Sequence, residues 1–445
     1  MAYNAKTNWQ DNEIVKHTDL NRIEQGIKGI DDSIAAVNYY ATGTNDNAAI
    51  SALIQKLMGS SSRDIRINIH GTLGITLIQD TPRYYCFRMQ NSNRGTAYLD
   101  FTNATVPDIE APGLFTMFYA TSFGGAYGVT GLKCRVNFQF YTSPTQSIMG
   151  QMGTVTCFEG CDMTILTPVR DPENFLPSQI SELGIFNGGF YIHNCRFSFI
   201  GDSAGRELFR GTSSGGKKSV MRDVDISVDY GTIWTADSFS PIAYVGLCDN
   251  VDIVLNAVQS KPENPAMDAT RILGFSGCGT LINCTVDMTI QDMESIFVVN
   301  FNGVHAATCC INCTSTVKVT GSISNSFSNN QVCGFSTCRR LIDCEGYGYI
   351  PESRLASPLT TNGMGVGFFM SSTATQAYTM VGCRALKKDI PGLKQVIGIQ
   401  MYGTSSGAMY SLVGNTVTAD SSPWTAIRKH SMTGDNYTEL GTIKI

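Results

Sequence analysis

The sequence predicts an all-β solenoid, and three observations predict it. The first is a register: Gly274, Gly303 and Gly334 are each followed by an apolar residue, and each is followed at one fixed distance by a cysteine, Cys284, Cys313 and Cys344. Every one of those cysteines closes an apolar-polar-cysteine step, Ile282-Asn283, Ile311-Asn312 or Ile342-Asp343 before it. A period near thirty residues marks units that bury their apolar faces only against their neighbours. The second observation is a succession of short alternating runs between glycine or asparagine turns, among them 133–140, 162–166, 190–200, 220–230, 251–258, 281–290 and 313–319. The third is composition. Charged residues are 16%, with 44 glycines and 14 prolines, a profile of glycine-turned β structure.

The period decides among β architectures. About thirty residues hold three short strands with their turns, whereas a sandwich carries no such register. The repeat continues in altered form: Tyr378 to Cys383 recurs as Tyr410 to Asn415, and Gly367 to Met370 as Gly398 to Met401. Roughly a dozen coils stacked about 4.8 Å apart make a rod on the order of 60 Å long.

Taken in order, residues 1–16 read as an extended attachment segment. After Thr18, Leu20, Ile23, Ile27, Ile30, Ile34 and Val37 recur at alternating intervals of three and four, an a/d seam. Isoleucine at most positions of both classes favours three strands, so a homotrimeric coiled coil is expected, weakened by Gly26 and Gly29. Asp46 or Asn47 then caps a helix with Ile50, Leu53, Ile54 and Leu57 on one face. A strictly alternating strand follows, Ile65 to Gly71.

At this point the residues carry a resemblance. A glycine- and aspartate-containing turn, Gly43-Thr-Asn-Asp-Asn47, then a short helix and an alternating strand, resembles the beginning of the pectate-lyase-like right-handed parallel β-helices of phage tailspikes and neck or tail appendages. The segment Trp9 to Ile30, with Asp19-Leu-Asn-Arg-Ile-Glu24, is similar to the N-termini of tail and baseplate proteins from phages of Gram-positive hosts. The resemblance implies four regions: a virion-attachment segment with the coiled helix at 1–38, a capping helix at 39–64, a parallel β-helix at 65–420 and a C-terminal strand or tip at 421–445. It also implies a virion protein assembled in the host cytoplasm, bound through its N-terminus to tail, neck or baseplate proteins. Its role would be adhesion to cell-wall or capsular polysaccharide; a glycan depolymerase and a purely structural appendage are the alternatives.

Net charge is −5 without a Lys/Arg cluster, which argues against nucleic acid, and no long apolar run argues for membrane insertion. Fifteen cysteines without a signal peptide read as reduced thiols, small apolar core residues stacked coil on coil. No metal-ligand spacing and no cofactor motif is expected. Asn283, Asn312 and Asp343 should form a hydrogen-bonded ladder beside the cysteines. Function is expected where the period fails: loops at 166–183, 259–267 and 211–218, and acids sharing a strand face. Val224, Ile226 and Val228 facing inward would turn Asp223, Asp225 and Asp229 outward, at a separation suited to a carboxylate pair acting on glycans, with Arg222 and Tyr230 nearby. Asp249, Asp252, Asp287, Asp292 and Glu294 form a second, less ordered group. Tyr347 and Tyr349, alternating with Gly346 and Gly348, are candidates for stacking on sugar rings.

Overall fold

The computed structural model describes residues 36–445 apart from 60–63, 81–82, 90–94, 113–114, 121–124, 140–149, 154, 168–185, 188, 203–206, 212–218, 236–237, 263–268, 294–297, 322–330, 353–363, 373–376, 389, 404–408, 422–423 and 431–436. The chain is a right-handed parallel β-helix. One ladder of parallel neighbours runs from Ala36 through Arg66, Tyr98, Gly128, Cys157, Tyr191, Val220, Leu247, Thr280, Cys309, Arg340, Thr379 and Ser411 to Thr438. Stacked strands therefore run from Ala36 to Lys444, past both ends of the expected 65–420 span.

Leu20, Ile23, Ile27, Ile30 and Ile34, and with them the expected coiled coil and trimer contact, lie outside the described residues. Val37, the last position of the seam, stands in the strand Ala36–Tyr40, which pairs with Ile65–Thr72. The reason is local: Val37, Tyr39 and Tyr40 favour extended backbone, and the strand of the next coil offers them a ladder of partners. Of the three loops expected from broken periodicity, 168–185, 212–218 and 263–268 lie outside the described residues, while Gln259 to Pro262 continue the strand Leu247–Pro262.

A single coil shows the plan. Thr280–Ile282 runs into Asn283, the chain turns there into Thr285–Met293, crosses to Val298–His305, turns at Ala306 and begins the next coil at Cys309–Ile311. Asn283 and Ala306 have positive φ, 52° and 54°. The first corner recurs on successive coils at Gly131, Gly160, Asn194, Asp223, Asn250, Asn283, Asn312, Asp343, Gly382, Gly414 and Gly441, all with φ between 51° and 67°. Only glycine, asparagine and aspartate occupy it, the residue types that enter the left-handed region most readily. Corner amides bond to the next coil: Asn283, Asn312 and Asp343 donate to the carbonyls of Ile311, Ile342 and Val381 at 3.0, 2.9 and 2.9 Å. Of the expected ladder the rung between the two asparagines is present, Asn312 Nδ2 donating to Asn283 Oδ1 at 2.8 Å.

The residue after each corner points into the core. Cys161, Cys195, Cys284, Cys313, Cys344 and Cys383 stand in this column beside Leu132, Val224, Val251 and Asn415, all buried, and all fifteen cysteines are free thiols. The thiols of Cys284, Cys313 and Cys344 each reach back 3.3 Å to the carbonyl of the isoleucine before the corner. Cysteine thus supplies a small apolar body and a weak donor at a bend.

The glycine register has a different origin. Gly274, Gly303, Gly334, Gly367 and Gly398 stack in the third face of the coil, where it approaches the second face backbone to backbone. A Cβ on Gly334 would lie 2.6 Å from the Tyr347 amide nitrogen, and one on Gly346 would lie 2.5 Å from the Gly367 oxygen. Side chains are excluded because the rod is pinched here.

At the N-terminal end the helix Asp46–Met58 buries Ile50, Ile54 and Met58 and covers the first coil. Asn47 Nδ2 donates to the carbonyls of Thr76 and Cys86 at 2.8 Å each, satisfying groups that an uncovered sheet edge would leave open. Asp46 does not cap the helix by the expected bond; it faces back into the preceding turn. Burial alone would push its carboxyl up, but the backbone amides of Gly74 (2.7 Å) and Thr42 (2.8 Å) and the hydroxyls of Tyr39 (2.8 Å) and Thr42 (2.9 Å) hold it well below the usual carboxylate range.

A folded pKa below the unfolded value stabilises the fold above about pH 4 and loses that contribution as pH falls. Asp46→Asn should therefore destabilise the protein at pH 7 by on the order of 3 kcal/mol in denaturant titrations, and the gap to the parent should narrow below about pH 4. Gly334→Ala should destabilise by on the order of 2 kcal/mol, since its methyl group would meet backbone that cannot move aside.

Candidate functional site

The residue just before the first corner defines one column along the rod. From Asp249 onward its register neighbours are Ile282, Ile311, Ile342, Val381, Val413 and Leu440, all aliphatic. In the four coils ending at Asp249 the same column reads Glu159, His193, Arg222, Asp249. Toward the N-terminus the column is polar as well, Thr130, Asp100, Asn68 and Asn38, so the four charged coils lie between a polar stretch and an aliphatic one.

The corner itself brings the next column alongside. His193 Nδ1 lies 2.9 and 3.0 Å from the two oxygens of Glu159, and His193 Nε2 lies 3.2 Å from Asp223 Oδ2. Asp223 Oδ1 accepts a hydrogen bond from Asn250 Nδ2 at 2.6 Å. The imidazole is thus bracketed by two carboxylates. A neutral ring has one N–H and satisfies one of them; the imidazolium satisfies both, so a proton added or removed here changes the contact directly. The group stays open to solvent, with side-chain exposures of 38, 27 and 42% for Glu159, His193 and Asp223. Arg222 and Asp249 form the inner half of the row at 3.3 Å, their side chains 13 and 15% exposed.

Of the three aspartates read as one strand face, only Asp223 joins this group. Asp223 has φ 52° and is the corner residue itself, so Val220 to Arg222 belong to one face of the coil and Val224 to Tyr230 to the next. The i, i+2 rule requires an unbroken strand, and the corner breaks it between Asp223 and Asp225. Asp225 lies between Arg196 and Asp252 in register and accepts from Arg196 Nη2 at 3.4 Å. Asp229 sits further along that strand, exposed, between Ile200 and Asn256. In the second acidic group Asp249 enters the row, and Asp287 accepts from Lys318 Nζ at 2.8 Å.

Tyr347 and Tyr349 are not available for stacking on a sugar. They do face out of the coil, because Gly346 and Gly348 press inward, and their rings lie parallel at 6.3 Å. Yet they are only 3 and 2% exposed. Leu393 and Ile390 pack on them, and Leu393 and Lys394 pair in antiparallel with Pro351 and Ile350. The alternation was readable in the sequence, whereas this covering segment comes from a later coil.

Neither Glu159 nor His193 was expected at a site from the sequence, and Arg222 was expected there only as a neighbour of the aspartates. The signal that would have found the first two is Glu159-Gly-Cys161 and His193-Asn-Cys195, the same three-residue step as Ile282-Asn-Cys284 with a titratable residue in place of isoleucine. Among the described residues no group of three His, Cys, Asp or Glu side chains is arranged to hold a metal ion.

No family model matches the chain, and no curated protein matches it. Among solved structures, the A-module of the mannuronan C-5 epimerase AlgE6 of Azotobacter vinelandii is similar at 12% identity, covering 92% of this chain and 99% of that one, with a TM-score of 0.24.

Because the Glu159–His193–Asp223 part of the row is open to solvent, its ion pairs contribute little to folding. His193→Ala should shift stability by less than about 1 kcal/mol in thermal or denaturant unfolding, which would leave its effect on ligand binding readable separately.

Proposed function

We propose that this protein is a phage tail or neck appendage that adheres to a host surface glycan, and that the Glu159–His193–Asp223 row with Arg222, Asp249 and Asn250 is where the glycan is held. The observation that carries this reading is a histidine held between the carboxylates of Glu159 and Asp223 and continued by the Arg222–Asp249 pair, over four consecutive coils. A linear polysaccharide laid along the rod would meet a fresh set of donors and acceptors on each coil, and carboxylates, guanidinium and amide are the groups that hydrogen-bond sugar hydroxyls. Attachment through residues 1–38 and trimerisation through the Leu20 to Ile34 seam are part of the same proposal. Three copies per appendage would add avidity to weak individual sites. The assignment to a phage particle rests on the resemblance of residues 9–30 and 43–71.

A depolymerase is the second reading, favoured by one contact: an imidazole touching two carboxylates is a set that general acid–base chemistry on a glycosidic bond could use. One experiment separates the readings. Purified protein is incubated with host wall polysaccharide while co-sedimentation and released reducing ends are followed. Adhesion predicts binding without release, weakened about tenfold or more by His193→Ala or Asp223→Asn. Release of oligosaccharide that Glu159→Gln and Asp223→Asn abolish would establish the depolymerase, and no binding by the parent would leave a structural appendage.

A further inference from the structure

We propose a second binding surface on the rod, over the strand Glu345–Pro351, that takes the anionic groups of a polysaccharide, carboxylate or phosphate. It rests on the glycan reading above and assigns that glycan a charge. The sequence as a whole is acidic at −5, yet residues 381–445 hold seven Lys/Arg against four Asp/Glu. Coiling gathers several of those cations on one outer face.

Tyr347 is the centre of the arrangement. Lys388 Nζ lies 4.2 Å from its ring centroid, and its hydroxyl donates to Glu345 Oε2 at 3.0 Å. Glu345 Oε1 in turn accepts from Arg384 Nη1 at 3.2 Å. On the same face Lys394 stands opposite Ile350, and Lys318 is in register with Tyr349. Lys387 Nζ donates to Ser421 Oγ at 3.2 Å, which fixes the chain beside Lys388. The charges of Lys318 and Arg384 are already matched by Asp287 and Glu345. Among the described residues no carboxylate pairs with Lys387 or Lys388. Lys388 is exposed, and its ammonium is held by an aromatic face rather than by an anion.

That geometry selects the ligand. A ring beneath an ammonium orients it while leaving N–H donors pointing to solvent, where a carboxylate or phosphate oxygen can accept them. Single-stranded nucleic acid is disfavoured, because base readout needs open aromatic faces and both tyrosine rings are covered.

The test titrates the full-length protein with polygalacturonate, poly(glycerol phosphate), dextran and oligothymidylate, with the Lys387→Gln/Lys388→Gln variant checked for unchanged melting. Binding of one or both anionic glycan polymers, weakened about tenfold in the variant and by added salt but unaffected by His193→Ala, is the expected result. Carboxylate and phosphate are told apart by which of the two binds. Equal binding of dextran, tighter binding of oligothymidylate, or an unaltered lysine variant would overturn the proposal. Loss of host wall polysaccharide binding in His193→Ala alone would sink this surface while the adhesive reading stood; failure of every polysaccharide, the host's included, would sink both.

Discussion

A parallel β-helix is held together by one demand, that every coil turn at the same place as the coil beneath it. The amide and carbonyl groups of each strand are matched only by the coils above and below, so a turn displaced by one residue would break the ladder and reverse every side chain between core and solvent. In this protein the demand is met by a left-handed corner that recurs from Gly131 to Gly441. Its backbone conformation restricts the corner to glycine, asparagine and aspartate, and its tightness admits cysteine behind it. The repeat is the trace of that corner in the sequence.

The same demand shapes where chemistry can be placed. Core positions cannot change without loosening packing, and corner positions cannot leave the left-handed set. The residue before the corner is freer: it is partly exposed, and the ladder needs only its backbone. Aliphatic side chains there shield the turn, and charged ones are tolerated because water still reaches them. Glu159, His193, Arg222 and Asp249 use that freedom in consecutive coils, and the rise between coils sets their contacts. The site is therefore as rigid as the ladder that carries it.

Close approach of two faces is the second shaping force. Where the third face presses on the second, glycine is needed on both sides, and the tyrosines between those glycines are turned outward. Two large rings then had to be covered, and the segment around Ile390 and Leu393 does so, carrying lysines to the outer surface with it. The basic patch is thus a by-product of how the pinch was closed over.

By itself the sequence determined the fold class, the capping helix, the inward cysteines and the asparagine rung, because each follows from spacing along the chain and the backbone preferences of single residue types. Only the tertiary structure decided which polar groups meet. Glu159, His193 and Asp223 are some thirty residues apart from one to the next and touch because coils stack; Asp223 and Asp225 are nearly adjacent and part because a corner falls between them. Tyr347 and Tyr349 alternate as the sequence implied, yet are buried by residues forty positions later. Local periodicity reports which way a side chain points, whereas contact across coils depends on where the corner lies and on what the following coils lay over it.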